Sequence, residues 1–214
     1  MRSRYLVREE YQAHFVTSTI VDWLPVFTTS DCCDIVTEAF DYCRKHKELK
    51  LYGWVIMPSH FHAVVQATEL SRVMADLKKF TARRLIAQLE IERREWLLKI
   101  LRDFRLSHKH ESTYQVWQEG FHPQALYSDE TISQKLEYLQ NNPGRAGFVA
   151  APEHWRYSSA HEWCDGAIPV MRCDDWRQMR REERNRVSGE KAVPKQSLGT
   201  RDEKRTGTAT RRSS

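Results

Sequence analysis

The sequence has no run of about 18 apolar residues, which is the length that a membrane-spanning helix requires. Its first ten residues are mostly polar or charged and lack the apolar stretch of a signal peptide. We therefore expect a cytoplasmic protein with no membrane partner. Hydrophobic residues still make up 40% of the chain, which is enough to form a core in a domain of ordinary size.

Cysteine is scarce, and its pattern excludes two classes of site. The chain has five cysteines, an odd number, and none of them forms a Cys-x-x-Cys pair. They are Cys32, Cys33, Cys43, Cys164 and Cys173. We expect reduced thiols rather than a disulfide framework, and no zinc site built from cysteine.

Acidic residues are under-represented only at the C-terminal end. The chain carries a net charge of +5, but residues 177–214 alone contain 12 Lys/Arg and 5 Asp/Glu. This end therefore has a net charge of +7 and the rest of the chain −2. We expect one domain over residues 1–165 and a basic, disordered tail over residues 166–214. Such a tail either keeps the protein in solution or binds nucleic acid through counterion release.

Hydrophobic spacing predicts an α+β fold. Period-two and helical patterns alternate along the chain in the order strand, helix, strand, strand, helix, strand, helix. The predicted strands are 12–19, 51–57, 61–67 and a last extended region, 114–117 with 124–127, which Gly120 and Pro123 split. The predicted helices are 30–47, capped by Ser30 or Asp31, 71–104 with a break near 92–95, and 132–141. The last of these begins from Asp129 or Thr131 and is stopped by Pro143 and Gly144. This order is typical of the ferredoxin-like arrangement, a four-stranded antiparallel sheet with helices packed on one face.

A His-Phe-His triplet lies in the third predicted strand. His60 and His62 are two residues apart, so both imidazoles can converge on one metal ion while Phe61 faces the core. The spacing alone leaves open one surface and one core histidine. His108 and His110 have the same spacing in a polar stretch, which we interpret as a solvated loop. No carboxylate base accompanies His60 and His62 in sequence, which disfavours a small-molecule metal hydrolase.

Tyr138 and Asn142 are four residues apart on the last predicted helix, so they share one face. A phenol that can attack phosphorus and an amide oxygen that can bind a metal would then project together. With two imidazoles, these oxygen donors suit Mg²⁺ or Mn²⁺. The alternatives are a buried helix tyrosine and an asparagine C-cap. Gln140 and Asn141 are neighbours that can substitute as the amide ligand.

Two runs resemble a known family. The segment from Tyr52 to Val65, which contains the triplet, is similar to the His-hydrophobic-His (HUH) motif of the single-tyrosine HUH transposases. The segment from Tyr138 to Val149 is similar to their catalytic-tyrosine helix, and its Asn-Pro-x-Arg-Ala-Gly form resembles the REP-associated tyrosine transposases. Further similar blocks occur in the same order, so the resemblance covers roughly residues 5 to 165.

The resemblance implies an HUH nuclease fold with His60, His62 and Asn142 as metal ligands and Tyr138 as the nucleophile. It implies a metal-dependent single-stranded DNA endonuclease and strand transferase that acts near DNA hairpins through a 5′-phosphotyrosine intermediate. The alternative is a domesticated hairpin-binding protein with little catalysis. Both a monomer and a homodimer are compatible with the sequence.

Several basic and aromatic residues have two interpretations. The basic residues Lys78, Lys79, Arg83 and Arg84 either form a solvated helix face or bind the DNA backbone. Arg145 either contacts phosphate or caps its helix. The rings of Trp117, Trp155 and Tyr157 either stack on unpaired bases or, as we expect, pack in the core.

Overall fold

The computed structural model describes residues 12–105, 113–163 and 168–191. Its strands are β1 (Ala13–Thr19), β2 (Lys50–Met57), β3 (His60–Gln66) and β4 (Gln124–Leu126), and its α-helices are α1 (Ser30–His46), α2 (Leu70–Ile91), α3 (Glu95–Asp103), α4 (Asp129–Arg145) and α5 (Trp176–Lys191). Cys32, Cys33, Cys43 and Cys173 are free thiols. None of the helices in the described ranges combines the length and apolarity needed to cross a bilayer.

The four strands form one antiparallel sheet in the order β2-β3-β1-β4. This confirms the predicted α+β class and the ferredoxin-like strand order. The inner strand β3 carries the His-Phe-His triplet, with Thr17 of β1 opposite His62 and Thr19 opposite His60. The triplet therefore lies on the rigid centre of the sheet rather than at an edge.

Helices cover both faces of the sheet, which corrects the expectation that they pack on one face. The face of Trp54 and Phe61 packs against apolar residues of α1, α2 and α3. The opposite face, with Tyr52 and Val64, packs against Leu139 of α4 and residues of α5. Nearly every residue of β2 and β3 is buried, on both faces of the sheet, as in strands that are covered on both sides.

The N-cap of α1 lies one residue before the two predicted caps. Thr29, rather than Ser30 or Asp31, is the N-cap, and its side chain accepts a hydrogen bond from the backbone N–H of Cys32.

The long predicted helix is broken where expected, between α2 and α3, and Arg93 in the break has a left-handed φ of 53°. Val73, Leu77, Leu85 and Leu89 of α2 are buried, whereas Phe80 of α2, Trp96 of α3 and Phe104 at the end of α3 are exposed. Thr81, four residues after Leu77, continues the inward face instead of Phe80, and α3 starts a new helical axis after the break.

The helix α4 is longer than predicted at its C-terminal end. Pro143 and Gly144 lie inside the helix, which ends at Arg145. A proline costs the helix one backbone hydrogen bond, and here Pro143 is buried, so packing stabilises the last turn. Gly147, with a φ of 77°, is the residue that turns the chain away.

The predicted disordered tail is wrong over the residues that form α5. Trp176 and Met179 are only 9% and 8% exposed and pack in the apolar cluster that contains Leu139 of α4. Arg180 Nε donates a hydrogen bond to Asp129 Oδ1 at 2.7 Å, which joins α5 to the start of α4. The basic composition of the tail concealed its buried apolar residues, which also include Met171. Residues 192–214 lie outside the described ranges.

Candidate active site

The two histidines of β3 point to the same face of the sheet, with ring centroids 4.8 Å apart. The Nδ1 of His62 lies 2.8 Å from Thr17 Oγ1, and the Nδ1 of His60 lies 3.2 Å from Ser59 Oγ. When each Nδ1 carries the proton and donates to its hydroxyl, each Nε2 presents a lone pair. A hydrogen bond to the second ring nitrogen fixes the tautomer and the orientation of an imidazole that binds a metal.

Burial keeps both imidazoles neutral. Desolvation lowers the pKa of His60. Desolvation, with the nearby His60 and the positive charge of Lys135, lowers the pKa of His62 to about 3. The neutral imidazole is the form that binds a metal, so the pair is in its ligating form at neutral pH.

Helix α4 places Tyr138 beside the histidines. The Tyr138 ring lies edge-on to His62 at a centroid distance of 5.6 Å and to Phe15 at 5.9 Å. Its side chain is 37% exposed, so this tyrosine is not the buried helix tyrosine of the alternative interpretation. The structure thus brings together the two halves of the site that are 76 residues apart in sequence.

A glycine of β2 allows α4 to approach the sheet. Gly53 lies at a register shift between β2 and β3, and a Cβ on it would be 2.3 Å from Leu136 Cδ2 of α4. The sequence prediction missed this role, although a glycine inside an apolar strand is itself a signal of close approach. Gly53 therefore leaves the space in which the Leu136 side chain of α4 packs against β2.

Asn142 follows Tyr138 by one helical turn and is half-buried. Its backbone carbonyl accepts a hydrogen bond from the N–H of Ala146, so Asn142 lies within the last turn and is not the C-cap. The amide of its neighbour Asn141 donates to the carbonyl of Glu137 at 3.0 Å. Of these two asparagines, Asn142 is the better candidate for an amide ligand.

Two cations flank Tyr138. Lys135 Nζ lies 4.7 Å from the centroid of the Phe15 ring and 5.8 Å from that of Tyr138. Arg145 Cζ lies 5.9 Å from the Tyr138 ring. Arg145 is one of the predicted DNA-binding residues, whereas the sequence prediction missed Lys135. Its spacing of three residues before Tyr138 is the signal that could have identified it.

The other predicted DNA-binding residues lie away from this site. Lys78, Lys79, Arg83 and Arg84 belong to α2, which packs on the opposite face of the sheet from His62. Lys78 Nζ donates to the carbonyl of Gln118, and Arg84 pairs with Glu38 at 3.6 Å. Lys79 and Arg83 are exposed. The structure does not bring these four residues to Tyr138.

The three aromatic residues with two interpretations are structural, as expected. Trp117 is buried, and its Nε1 donates to the carbonyl of Lys78. Trp155 Nε1 donates to the carbonyl of Ile56, and the Tyr157 hydroxyl donates to Asp34. These hydrogen bonds tie the rings to the sheet and helices.

The candidate donors are two neutral imidazoles of β3 and, on α4, the amide oxygen of Asn142. Nitrogen and oxygen donors of this kind are ones that bind divalent metal ions in proteins. Among the residues in the described ranges, no group of three or more His, Cys, Asp or Glu side chains is arranged to hold a metal. The pair His108 and His110 lies outside those ranges.

The family model of the IS200-like transposases matches residues 8–142. The chain belongs to the IS200-like transposase family. The matched region runs through His60, His62 and Tyr138 to Asn142 and does not include α5.

This IS200-like transposase is similar to a putative REP-associated tyrosine transposase of Haemophilus influenzae. The two are 24% identical over 148 residues, which cover 69% of this chain and 79% of the relative. Its fold resembles a solved REP-associated tyrosine transposase bound to a REP hairpin, with a TM-score of 0.53 and 16% identity. That match covers 82% of this chain and 92% of the other. The resemblance predicted from the sequence is thus confirmed.

Proposed function

We propose that the protein is a metal-dependent single-stranded DNA endonuclease and strand transferase that forms a 5′-phosphotyrosine intermediate. The observation that carries this proposal is the contact between the exposed Tyr138 ring and the buried His62, which is one of two convergent imidazoles. A nucleophile placed beside a candidate metal site suits phosphodiester transfer.

In the proposed reaction the phenolic oxygen of Tyr138 attacks the scissile phosphorus. The bond from phosphorus to the 3′-oxygen breaks, the 3′-oxygen takes up a proton, and the phenol loses one. One phosphodiester is exchanged for another, the phosphotyrosine diester. The released 3′-hydroxyl can therefore attack the phosphotyrosine to reverse the step, or the 3′-hydroxyl of another strand can attack it to complete strand transfer. The bond formed, the bond broken and the proton transferred account for the whole step, so no further reactant is needed.

The residues around Tyr138 have distinct proposed roles. His60, His62 and Asn142 would hold Mg²⁺ or Mn²⁺, which when bound neutralises the non-bridging oxygens and polarises phosphorus. Thr17 and Ser59 orient the two imidazoles. Further positive charge comes from Lys135 and Arg145 of α4.

Lys135 and Arg145 are proposed to bind the phosphate backbone at the nucleophile. Both cations lie within 6 Å of the Tyr138 ring centroid, at 5.8 and 5.9 Å. Positive charge at this position attracts the phosphate and offsets the negative charge that develops during attack. A hairpin-flanking substrate is proposed because the fold resembles a REP-associated tyrosine transposase solved with a REP hairpin.

The first test uses labelled hairpin oligonucleotides with single-stranded flanks, Mg²⁺ or Mn²⁺, and a denaturing gel that detects covalent protein–DNA adducts. We expect an adduct with the wild-type protein and none with Tyr138→Phe or in the presence of a chelator. Tyr42→Phe is the matched control, because Tyr42 is an exposed tyrosine of α1 away from the site. Hairpin binding without cleavage by the wild type would favour the domesticated DNA-binding alternative instead.

A further inference from the structure

A tryptophan stands exposed in a tight turn just after β1. Trp23 is 58% exposed, and both Asp22 and Trp23 have left-handed backbone conformations, with φ values of 54° and 53°. Two successive non-glycine residues in this region are unusual, and for a bulky residue such as tryptophan the conformation is strained. Strain of this kind persists only where the surrounding structure fixes it, and it occurs preferentially at functional sites.

The turn that carries Trp23 is firmly anchored. The N–H of Ile20 donates to the carbonyl of Ser59, and the N–H of Val21 donates to that of Val116, both at 2.9 Å. Val21 and Leu24 are buried on either side. Trp23 therefore projects from a rigid base, and its exposed ring contributes little to the core.

Trp23 lies across the histidine pair from Tyr138. Its ring is edge-on to His60 at a centroid distance of 5.3 Å, whereas Tyr138 contacts His62 and Phe15. In the pairing of β1 with β3, Phe15 lies opposite Val64 and Thr19 lies opposite His60. Trp23 follows Thr19 in the chain, so it lies beyond the end of β1 that is next to His60. The nucleophile and the exposed indole thus flank the candidate metal site.

We propose that Trp23 is the stacking platform for the base immediately 5′ of the scissile phosphate. The inference rests on the proposed function. Attacking and leaving oxygens lie roughly in line in phosphoryl transfer, so the 3′-oxygen departs from the side opposite Tyr138, which is the side of His60 and Trp23. The base of the nucleotide that carries this 3′-oxygen then reaches the indole. Stacking there retains the released 3′-hydroxyl strand for rejoining.

The first arm of the test measures the affinity of the full chain for a single-stranded oligonucleotide flanking a hairpin, and its rates of cleavage and rejoining. Trp23→Ala should weaken binding by about 5- to 150-fold, the range for loss of one aromatic–base stack. It should also slow rejoining, and Trp23→Phe should recover most of the loss. Trp96→Ala is the matched control, because Trp96 is 51% exposed on α3, across the sheet, and should leave binding unchanged.

Trp23→Gly is the control for an effect of the substitution on folding. Glycine adopts the left-handed conformation without strain, so this variant should melt no lower than the wild type while binding DNA as weakly as Trp23→Ala. A Trp23→Gly protein that melts normally and binds DNA with wild-type affinity would overturn the proposal.

The second arm removes one base at a time from the oligonucleotide. An abasic site immediately 5′ of the cleaved bond should weaken wild-type binding as much as Trp23→Ala does, and should have no further effect on Trp23→Ala. Additive losses at that position would refute the assignment. If the wild type does not cleave, the proposed function fails. Trp23→Ala combined with an abasic site at each position of the oligonucleotide then still decides whether Trp23 stacks on a base. Non-additive losses of binding at one position support stacking, and additive losses at every position exclude it.

Discussion

His62 is the residue on which the site depends most, because three side chains fix its ring. It is 7% exposed, its Nδ1 lies 2.8 Å from Thr17 Oγ1, and it stacks on Phe15 at a centroid distance of 5.2 Å. Tyr138 closes the remaining side edge-on. The spacing of His60 and His62 predicted a shared face, but the hydroxyl and aromatic partners come from β1 and α4. Single-sequence spacing contains no information on such long-range neighbours.

The buried state of His62 predicts acid sensitivity of the fold. Its pKa is about 3 in the folded protein, against an ordinary value of 6.5. The unfolded chain therefore takes up a proton below pH 6.5 that the folded chain does not, and the contribution of His62 to stability is lost as the pH falls from 6.5 toward 3. The loss amounts to about 1.4 kcal/mol per pH unit.

Urea unfolding with chelator present, between pH 7.5 and 5, measures this loss. His62→Gln should flatten the decline in the free energy of unfolding, whereas His46→Gln, at an exposed position of α1, should not. Equal slopes for the wild type and His62→Gln would show that His62 is accessible to protons in the folded state.

At the scale of the elements, α4 decides whether the chain has a site at all. Its four-residue spacing correctly predicted that Tyr138 and Asn142 share a face. The same sequence did not reveal which face of the sheet α4 covers, because residues on both faces of β2 and β3 are buried. The end of α4 was also mispredicted, since the effect of Pro143 depends on burial that is set by the tertiary fold.

Gly53 gives a test of the position of α4. Gly53→Val places methyl groups where Leu136 packs, so it should push the helix and Tyr138 away from the histidines. A displacement of about 1 Å can cost about 100-fold in rate, and we expect a loss of that order in single-turnover cleavage. The second substitution Leu136→Ala in the same chain should restore part of the rate by making room. An undiminished rate for Gly53→Val alone would contradict this role for the glycine.

At the scale of the molecule, the sheet is enclosed between two helical layers that have different tasks. Helices α1, α2 and α3 supply most of the core, and α4 with α5 forms the layer that carries the nucleophile. The strand order was predictable because each strand and its turn have local signals. The contribution of α5 was not, because Trp176 and Met179 are its main apolar anchors in a strongly basic segment.

The second layer predicts that α5 is part of the folded domain. Trp176→Ala should lower the free energy of unfolding by about 3 kcal/mol, the cost of removing a large buried aromatic ring. Arg181→Ala, at an exposed position of the same helix, should change it by less than about 0.5 kcal/mol. Chemical denaturation of the two variants makes the comparison, and equal stabilities would place α5 outside the cooperative fold.

The most direct test of the proposed chemistry is to locate the covalent bond between protein and DNA. The wild-type protein is incubated with a cleavable hairpin oligonucleotide and Mg²⁺, digested with protease and nuclease, and analysed by mass spectrometry. We predict a nucleotide 5′-phosphate attached to the peptide that contains Tyr138, through the tyrosine oxygen. Attachment to any other residue, or cleavage with no covalent adduct on Tyr138, would contradict the account.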